Sequence, residues 1–226
     1  MSPSYLIRRV EGKDPTQGNW DDPVWKTANV LDIAQVHARS SEHHPKTRAR
    51  LLYDARNIYL RFDVDDRYVL SRHTNYQDSV CLDSCVEFFF APVAGLGYLD
   101  LEINCGGTLL FYYIEDHRRA PGGFVKFTRA PAEDGEKLAI YHSMPRVVDP
   151  EQIEPASWRI GCRIPLKVVE KFVGSVGDLG GQTWRGNFYK CADLCSHPHW
   201  ISWAPLGEAL DFHQPKHFQP IHFEKL

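Results

Sequence analysis

Ile58-Tyr59-Leu60-Arg61-Phe62-Asp63-Val64-Asp65 alternates apolar and polar side chains without a break. Successive side chains of an extended strand point to opposite faces, so this rhythm predicts a strand with Ile58, Leu60, Phe62 and Val64 toward a core and the other face wet. The pattern returns at Leu99, Leu101 and Ile103 against Asp100, Glu102 and Asn104. It returns again at Trp158, Ile160, Cys162 and Ile164 against Arg159, Gly161 and Arg163. Repetition of a period of two in separate parts of the chain predicts an all-β fold built from half-buried antiparallel strands.

Working outward, further strands are expected at Arg48 to Tyr53, Val86 to Phe90, Thr108 to Ile114, Phe124 to Arg129, Leu138 to Ser143, Arg185 to Lys190 and His217 to Phe223. Loops rich in Pro, Gly and His separate them. That many short strands favours a two-sheet antiparallel β-sandwich, jelly-roll-like, with at most one or two short helices. The helix candidate is Leu166 to Phe172, which follows Pro165 and stops before Gly174. No repeat or linker divides residues 1–226, and 43% hydrophobic content is enough to core one domain of this length.

A formal net charge of -3, from 26 basic and 29 acidic residues, supplies no field for phosphate backbones or anionic lipid. Neither nucleic acid nor membrane is expected as a partner. Met1 to Arg9 has no basic start followed by an apolar run, which reads as cytoplasmic; a secreted chain whose leader had been removed would read the same.

Six cysteines are too few to build a disulfide scaffold. Cys81-x3-Cys85 and Cys191-x3-Cys195 raise zinc, yet Cys85 and Cys191 sit inside apolar strand patterns and are expected as core thiols. Cys191, Cys195, His197 and His199 form a second metal candidate if the chain brings them together. Trp20 and Trp25, in Gly18-Asn19-Trp20-Asp21-Asp22-Pro23-Val24-Trp25, are expected to pin a turn at the sandwich edge.

Three signatures place aromatic, amide and charged groups at strand ends: Asp83-Ser84-Cys85-Val86-Glu87-Phe88-Phe89, Trp184-Arg185-Gly186-Asn187-Phe188-Tyr189-Lys190-Cys191, and Ser202-Trp203-Ala204-Pro205 leading to Phe212-His213. With Ile58-Tyr59-Leu60-Arg61-Phe62, Tyr76-Gln77-Asp78 and Tyr98 to Asn104, their order along the chain resembles carbohydrate-binding module family 9 and its relatives in the DOMON-like β-sandwich group. The resemblance implies a lectin-like, non-catalytic module that clamps a mono- or oligosaccharide between rings, supporting polysaccharide breakdown with a glycoside hydrolase acting in trans. It places the aromatic platforms at Tyr76, Trp184, Trp200 and Trp203. It requires no cofactor and implies calcium as a structural ion, for which Asp63, Asp65 and Asp66 are the candidates.

The chemistry of sugars fits the same residues. A sugar ring presents C–H faces to aromatic rings and a rim of hydroxyls to carboxylates, amides and guanidinium groups. Alternation turns Glu87, Glu102, Asn104, Arg185 and Asn187 away from the apolar face of their strands, which makes them the hydrogen-bonding candidates; a solvated, ion-paired sheet face accounts for them equally well. Glu87 with Glu102 also opens the alternative of a glycoside-acting enzyme, since that chemistry uses paired carboxyls. A haem-binding reading needs an axial pair such as His142 with Met144.

Overall fold

The computed structural model describes residues 3–12, 14–16 and 22–225. Its first strands are β1 (Tyr5–Arg9), β2 (Leu31–Ile33), β3 (Gln35–Val36), β4 (Lys46–Tyr53), β5 (Asn57–Asp66) and β6 (Val69–Ser71). The central strands are β7 (Cys85–Ala91), β8 (Tyr98–Asn104), β9 (Leu109–Ala120), β10 (Gly123–Arg129) and β11 (Ala139–His142). The chain ends with β12 (Val148–Gln152), β13 (Ala156–Pro165), β14 (Thr183–Cys191), β15 (Trp200–Ser202) and β16 (Gln219–Phe223). Two short α-helices, α1 (Ala132–Gly135) and α2 (Leu166–Val173), interrupt them.

One sheet runs β10-β9-β8-β7-β14-β16-β1 and the other β1-β4-β5-β13-β11. The first strand belongs to both: Tyr5 to Ile7 pair with β16, and Arg8 and Arg9 pair with β4. Both pairings are parallel, an exception in a sandwich whose other ladders are antiparallel. The core between the sheets takes Ile58, Leu60, Phe62 and Val64 from one side and Val86, Phe88, Leu99, Leu101 and Phe188 from the other. Phe88 stacks on Phe188 at 4.4 Å between ring centroids, fixing the register of β7 against β14.

The predicted wet face of β5 is largely covered, with Asp65 left exposed. Tyr59, Arg61 and Asp63 are buried as well, because Trp25 and the segment around it lie over that side of the sheet. The Arg61 guanidinium sits 5.8 Å from the Trp25 ring, and the indole N–H donates to the Pro15 carbonyl at 2.9 Å. Trp25 therefore pins the edge as expected; Trp20 lies outside the described residues.

After Pro165, α2 buries Leu166, Val168, Val169 and Val173 and ends at Gly174, whose φ of +78° suits a residue without a Cβ. No described helix is long and apolar enough to cross a membrane.

Candidate functional site

In the sheet β10-β9-β8-β7-β14, β8, β7 and the second half of β14 are buried on both faces. One face carries Cys85, Glu87 and Phe89 on β7, Asp100 and Glu102 on β8, Leu110 and Tyr112 on β9, and Tyr189 and Cys191 on β14. Strand pairing aligns Tyr189 with Glu87, Glu87 with Glu102 and Glu102 with Leu110 across four strands. Period-two geometry makes this a single surface.

The chain between β15 and β16 folds back over it. Phe212 stacks on Tyr189 at 4.2 Å, and the Tyr189 hydroxyl donates to the Phe212 carbonyl at 3.0 Å. Asn187 fastens the start of this segment, accepting from the Ala204 N–H at 2.9 Å and donating to the Ala204 carbonyl at 3.1 Å. Leu206, Phe212 and Phe218 join Phe89, Tyr98 and Tyr189 in a second hydrophobic cluster. Between the sheet and this cover remains a cleft of about 360 Å³, within the size range of small-ligand sites.

Glu87, Asp100 and Glu102 form its floor. Tyr112, Phe124 and Phe127 stand toward the β10 edge, and Trp200 toward β14, with Asp193, Arg119 and His213 supplying polar groups. The Trp200 indole donates to Asp193 at 2.7 Å, which orients the ring. Arg119 lies over Phe124, 4.5 Å from its centroid, and pairs with Asp211 at 2.9 Å.

The floor is electrostatically unlike the rest of the interior. Asp63 is paired with Arg50 at 2.6 Å, and Asp66 accepts from His43 at 2.8 Å. Asp83 accepts from the N–H groups of Arg72 and His73. By contrast Glu87 Oε2, both oxygens of Asp100 and Glu102 Oε2 are buried and have no hydrogen-bond partner among the described residues. Burial pushes all three carboxyls up, Glu102 to about 8, and the proximity of Glu102 adds repulsion at Glu87 and Asp100. Burial holds His213 down at about 3, with the Arg119 charge adding to it.

The structure brings together Glu87, Glu102 and Trp200 from the expected site and separates the rest. Asn104 has the expected face, but it closes the β8–β9 turn, donating to Asp83 at 2.8 Å and accepting from the Thr108 N–H at 2.8 Å. Asn187 is likewise consumed by Ala204. Trp184 is a core residue stacked on Phe90 at 5.8 Å, and Trp203 packs edge-on against Phe188 at 5.8 Å. Arg185 is exposed and donates to the Phe218 carbonyl outside the cleft. Tyr76 lines a separate depression beside α1, its hydroxyl donating to the Ala130 carbonyl at 2.9 Å.

The calcium candidates do not converge. Asp63 is held by Arg50, Arg61 and Arg159, and Asp65 faces Arg48 at 3.5 Å. Asp66 points to the opposite face of β5, where it meets His43, the Trp158 indole and Lys190. A cation among them would meet guanidinium groups. The Cys191, Cys195, His197 and His199 set is also divided, since Cys191 donates to Glu87 at 3.1 Å while His199 contacts Lys190 at 2.8 Å on the other face of β14. All six cysteines are free thiols. Met144 packs on the core while His142 is exposed and bonds the Met144 carbonyl at 2.8 Å, so they form no axial pair.

Asp100, His213, Tyr112, Phe124 and Phe127 also line the cleft, although none of them was among the expected sugar-binding residues. Asp100 carried the same parity signal as Glu102, whereas His213 and the β10 rings reach the cleft through loop and hairpin geometry that periodicity does not encode. A second cleft, about 640 Å³, is lined by Arg48, Arg50, Arg61 and Arg159 around Asp63; Arg50, Arg61 and Arg159 pair with Asp63 and Arg48 with Asp65.

Residues 24–223 match the family model for carbohydrate-binding family 9. No curated protein matches the chain. Among solved structures it is similar to a Bacteroides uniformis ATCC 8492 protein for which carbohydrate binding is proposed, with 28% identity, TM-score 0.83 and coverage of 99% of this chain and 100% of that one. It is also similar to a family 9 module from Caldicellulosiruptor kristjanssonii in complex with cellotriose, at 12% identity and TM-score 0.66, covering 99% of this chain and 95% of that one. The same organism's family 9 module in complex with glucose gives 12% identity and TM-score 0.63, with 99% and 97% covered.

Proposed function

The chain belongs to carbohydrate-binding family 9, and from that premise we propose that it binds saccharide in the cleft floored by Glu87, Asp100 and Glu102 and rimmed by Trp200, Tyr112, Phe124 and Phe127. The observation that carries this reading is the coincidence of unpartnered buried carboxyl oxygens with aromatic rings in one concave place. Such oxygens are costly unless a ligand satisfies them, and a sugar offers a ring face and a rim of hydroxyl donors together.

Binding without catalysis is the form the site favours. Glycoside hydrolysis needs one carboxyl kept protonated and another kept ionised, with environments that push their pKa values apart. Here burial acts in one direction on Glu87, Asp100 and Glu102. A glycoside hydrolase acting on the same polysaccharide in trans is the partner this reading extends to.

The test is calorimetric titration with mono- and oligosaccharides, followed by chromatography of the incubated sugars. Saturable binding, weakened at least tenfold in Trp200→Ala, with no new product is the expected result. Product release abolished by Glu87→Gln would overturn the non-catalytic reading, and absence of binding across the panel would overturn the saccharide reading.

A further inference from the structure

Asp100 and Glu102 lie two residues apart on β8 and so share a face, and His213 reaches them from the covering segment. One ligating atom from each of the three falls within 4.8 Å of the others. Asp100 is fully buried, Glu102 is 6% exposed, and three of their four carboxyl oxygens have no hydrogen-bond partner among the described residues. One ring nitrogen of His213, Nδ1, lies 2.9 Å from the Tyr98 hydroxyl. A histidine held through one nitrogen by a second polar group presents the other in a fixed direction, the usual arrangement for a metal-bound imidazole.

We propose that Asp100, Glu102 and His213 form a divalent-cation site on the cleft floor, with its remaining coordination positions turned toward the cleft. Two carboxylates and one imidazole without thiolate suit a cation of the Mn²⁺ class, which accepts hard oxygen ligands together with a nitrogen. The cation also adds positive charge to a floor where the nearby Arg119 is already paired with Asp211; uncompensated buried carboxylates are otherwise expensive. Cys85, Glu87 and Cys191 are similarly close, but the Cys191 thiol already donates to Glu87 at 3.1 Å and Cys85 to the Val86 carbonyl at 3.6 Å. In that set only Glu87 Oε2 lacks a partner among the described residues and both thiols are engaged, whereas in the Asp100 set three carboxyl oxygens lack one. The inference rests on the cleft described above but not on the sugar assigned to it.

The experiment is calorimetric titration of the full chain, stripped with EDTA, with MnCl₂, repeated for Asp100→Asn, His213→Gln and Tyr98→Phe. The wild type is expected to take up one Mn²⁺ per chain. Asp100→Asn and His213→Gln are expected to lose at least a hundredfold in affinity, and Tyr98→Phe, which leaves every ligand in place, about tenfold, the scale of an outer-shell partner. Asp100→Asn exchanges an unpaired buried acid for an amide of the same shape, and an unfolding curve checks that it folds; if it does not, Tyr98→Phe and His213→Gln carry the comparison. No stoichiometric uptake, or uptake unchanged in these variants, overturns the site. Saccharide titrations in EDTA are read separately, so loss of the cation site and loss of the saccharide reading give different results.

Discussion

Trp200 and Trp203 are three residues apart and serve opposite ends of the chemistry. In the extended run Trp200-Ile201-Ser202-Trp203, parity sends Trp200 and Ser202 to one face and Ile201 and Trp203 to the other. Trp203, 8% exposed, fills the core beside Phe188, so Trp203→Ala should cost about 3–5 kcal/mol in denaturant unfolding, with affinity per folded molecule unchanged. Trp200→Ala should reverse that pattern, leaving the unfolding midpoint nearly unmoved while weakening saccharide binding. Equal effects of the two substitutions on binding would place the ligand elsewhere. Glu87 and Glu102 were legible from alternation because they lie mid-strand, where the face decides the surroundings. Asn104 and Asn187 have the same face but sit where a turn and a returning segment consume their amides, and no local pattern shows what will cover a strand.

At the scale of elements, β14 joins the cleft to a buried ionic network on its reverse face. Lys190 is fully buried, with its Nζ 2.8 Å from His199, 3.0 Å from the Cys191 carbonyl and 3.5 Å from Asp66. Lys190→Met should destabilise the fold by about 3–5 kcal/mol in urea unfolding, since it leaves Asp66 buried without its cation. A loss below about 1 kcal/mol would show that the pair contributes little. The network also makes the fold acid-sensitive. Burial raises the Asp66 carboxyl, but Lys190 and His43 outweigh it and hold the group well below its usual range, so its contribution is present above about pH 4 and lost as the pH falls further. Burial, reinforced by the Lys190 charge, lowers His199 to about 3, so its contribution is present above about pH 6.5 and lost as the pH falls from there toward 3. The drop in thermal midpoint between pH 6.5 and 4 should therefore be smaller in His199→Gln than in the wild type; an unchanged drop would contradict this assignment. Central strands were read from sequence to within a few residues, β5 and β13 most closely, because long alternating runs leave little choice. The short strands β1, β2, β3, β6, β12 and β15 were not, since a segment of two to five residues such as Gln35–Val36 has no period to read and pairs only because a neighbour is already in place.

The whole molecule is a sandwich in which one sheet is covered twice, once by its partner sheet and once by the chain returning from β15 to β16. That second cover explains why a face expected to be wet or ion-paired instead holds unpaired acids and aromatic rings. Rings stand at both ends of the floor, and four interstrand steps separate β10 from β14, roughly 19 Å of sheet at about 4.8 Å per step. A chain of sugar units should therefore bind more tightly than the corresponding monosaccharide, and calorimetry on both would show a difference of at least several-fold; equal affinities would confine recognition to one end. The cleft itself is tested most directly by soaking a crystal of the protein with the saccharide that binds best and locating it in difference density. The account predicts density over Glu87 and Glu102 with a sugar ring against Trp200 or the β10 rings. Density in the arginine-lined cleft around Asp63, or in the depression beside Tyr76, with this floor left free, would contradict it.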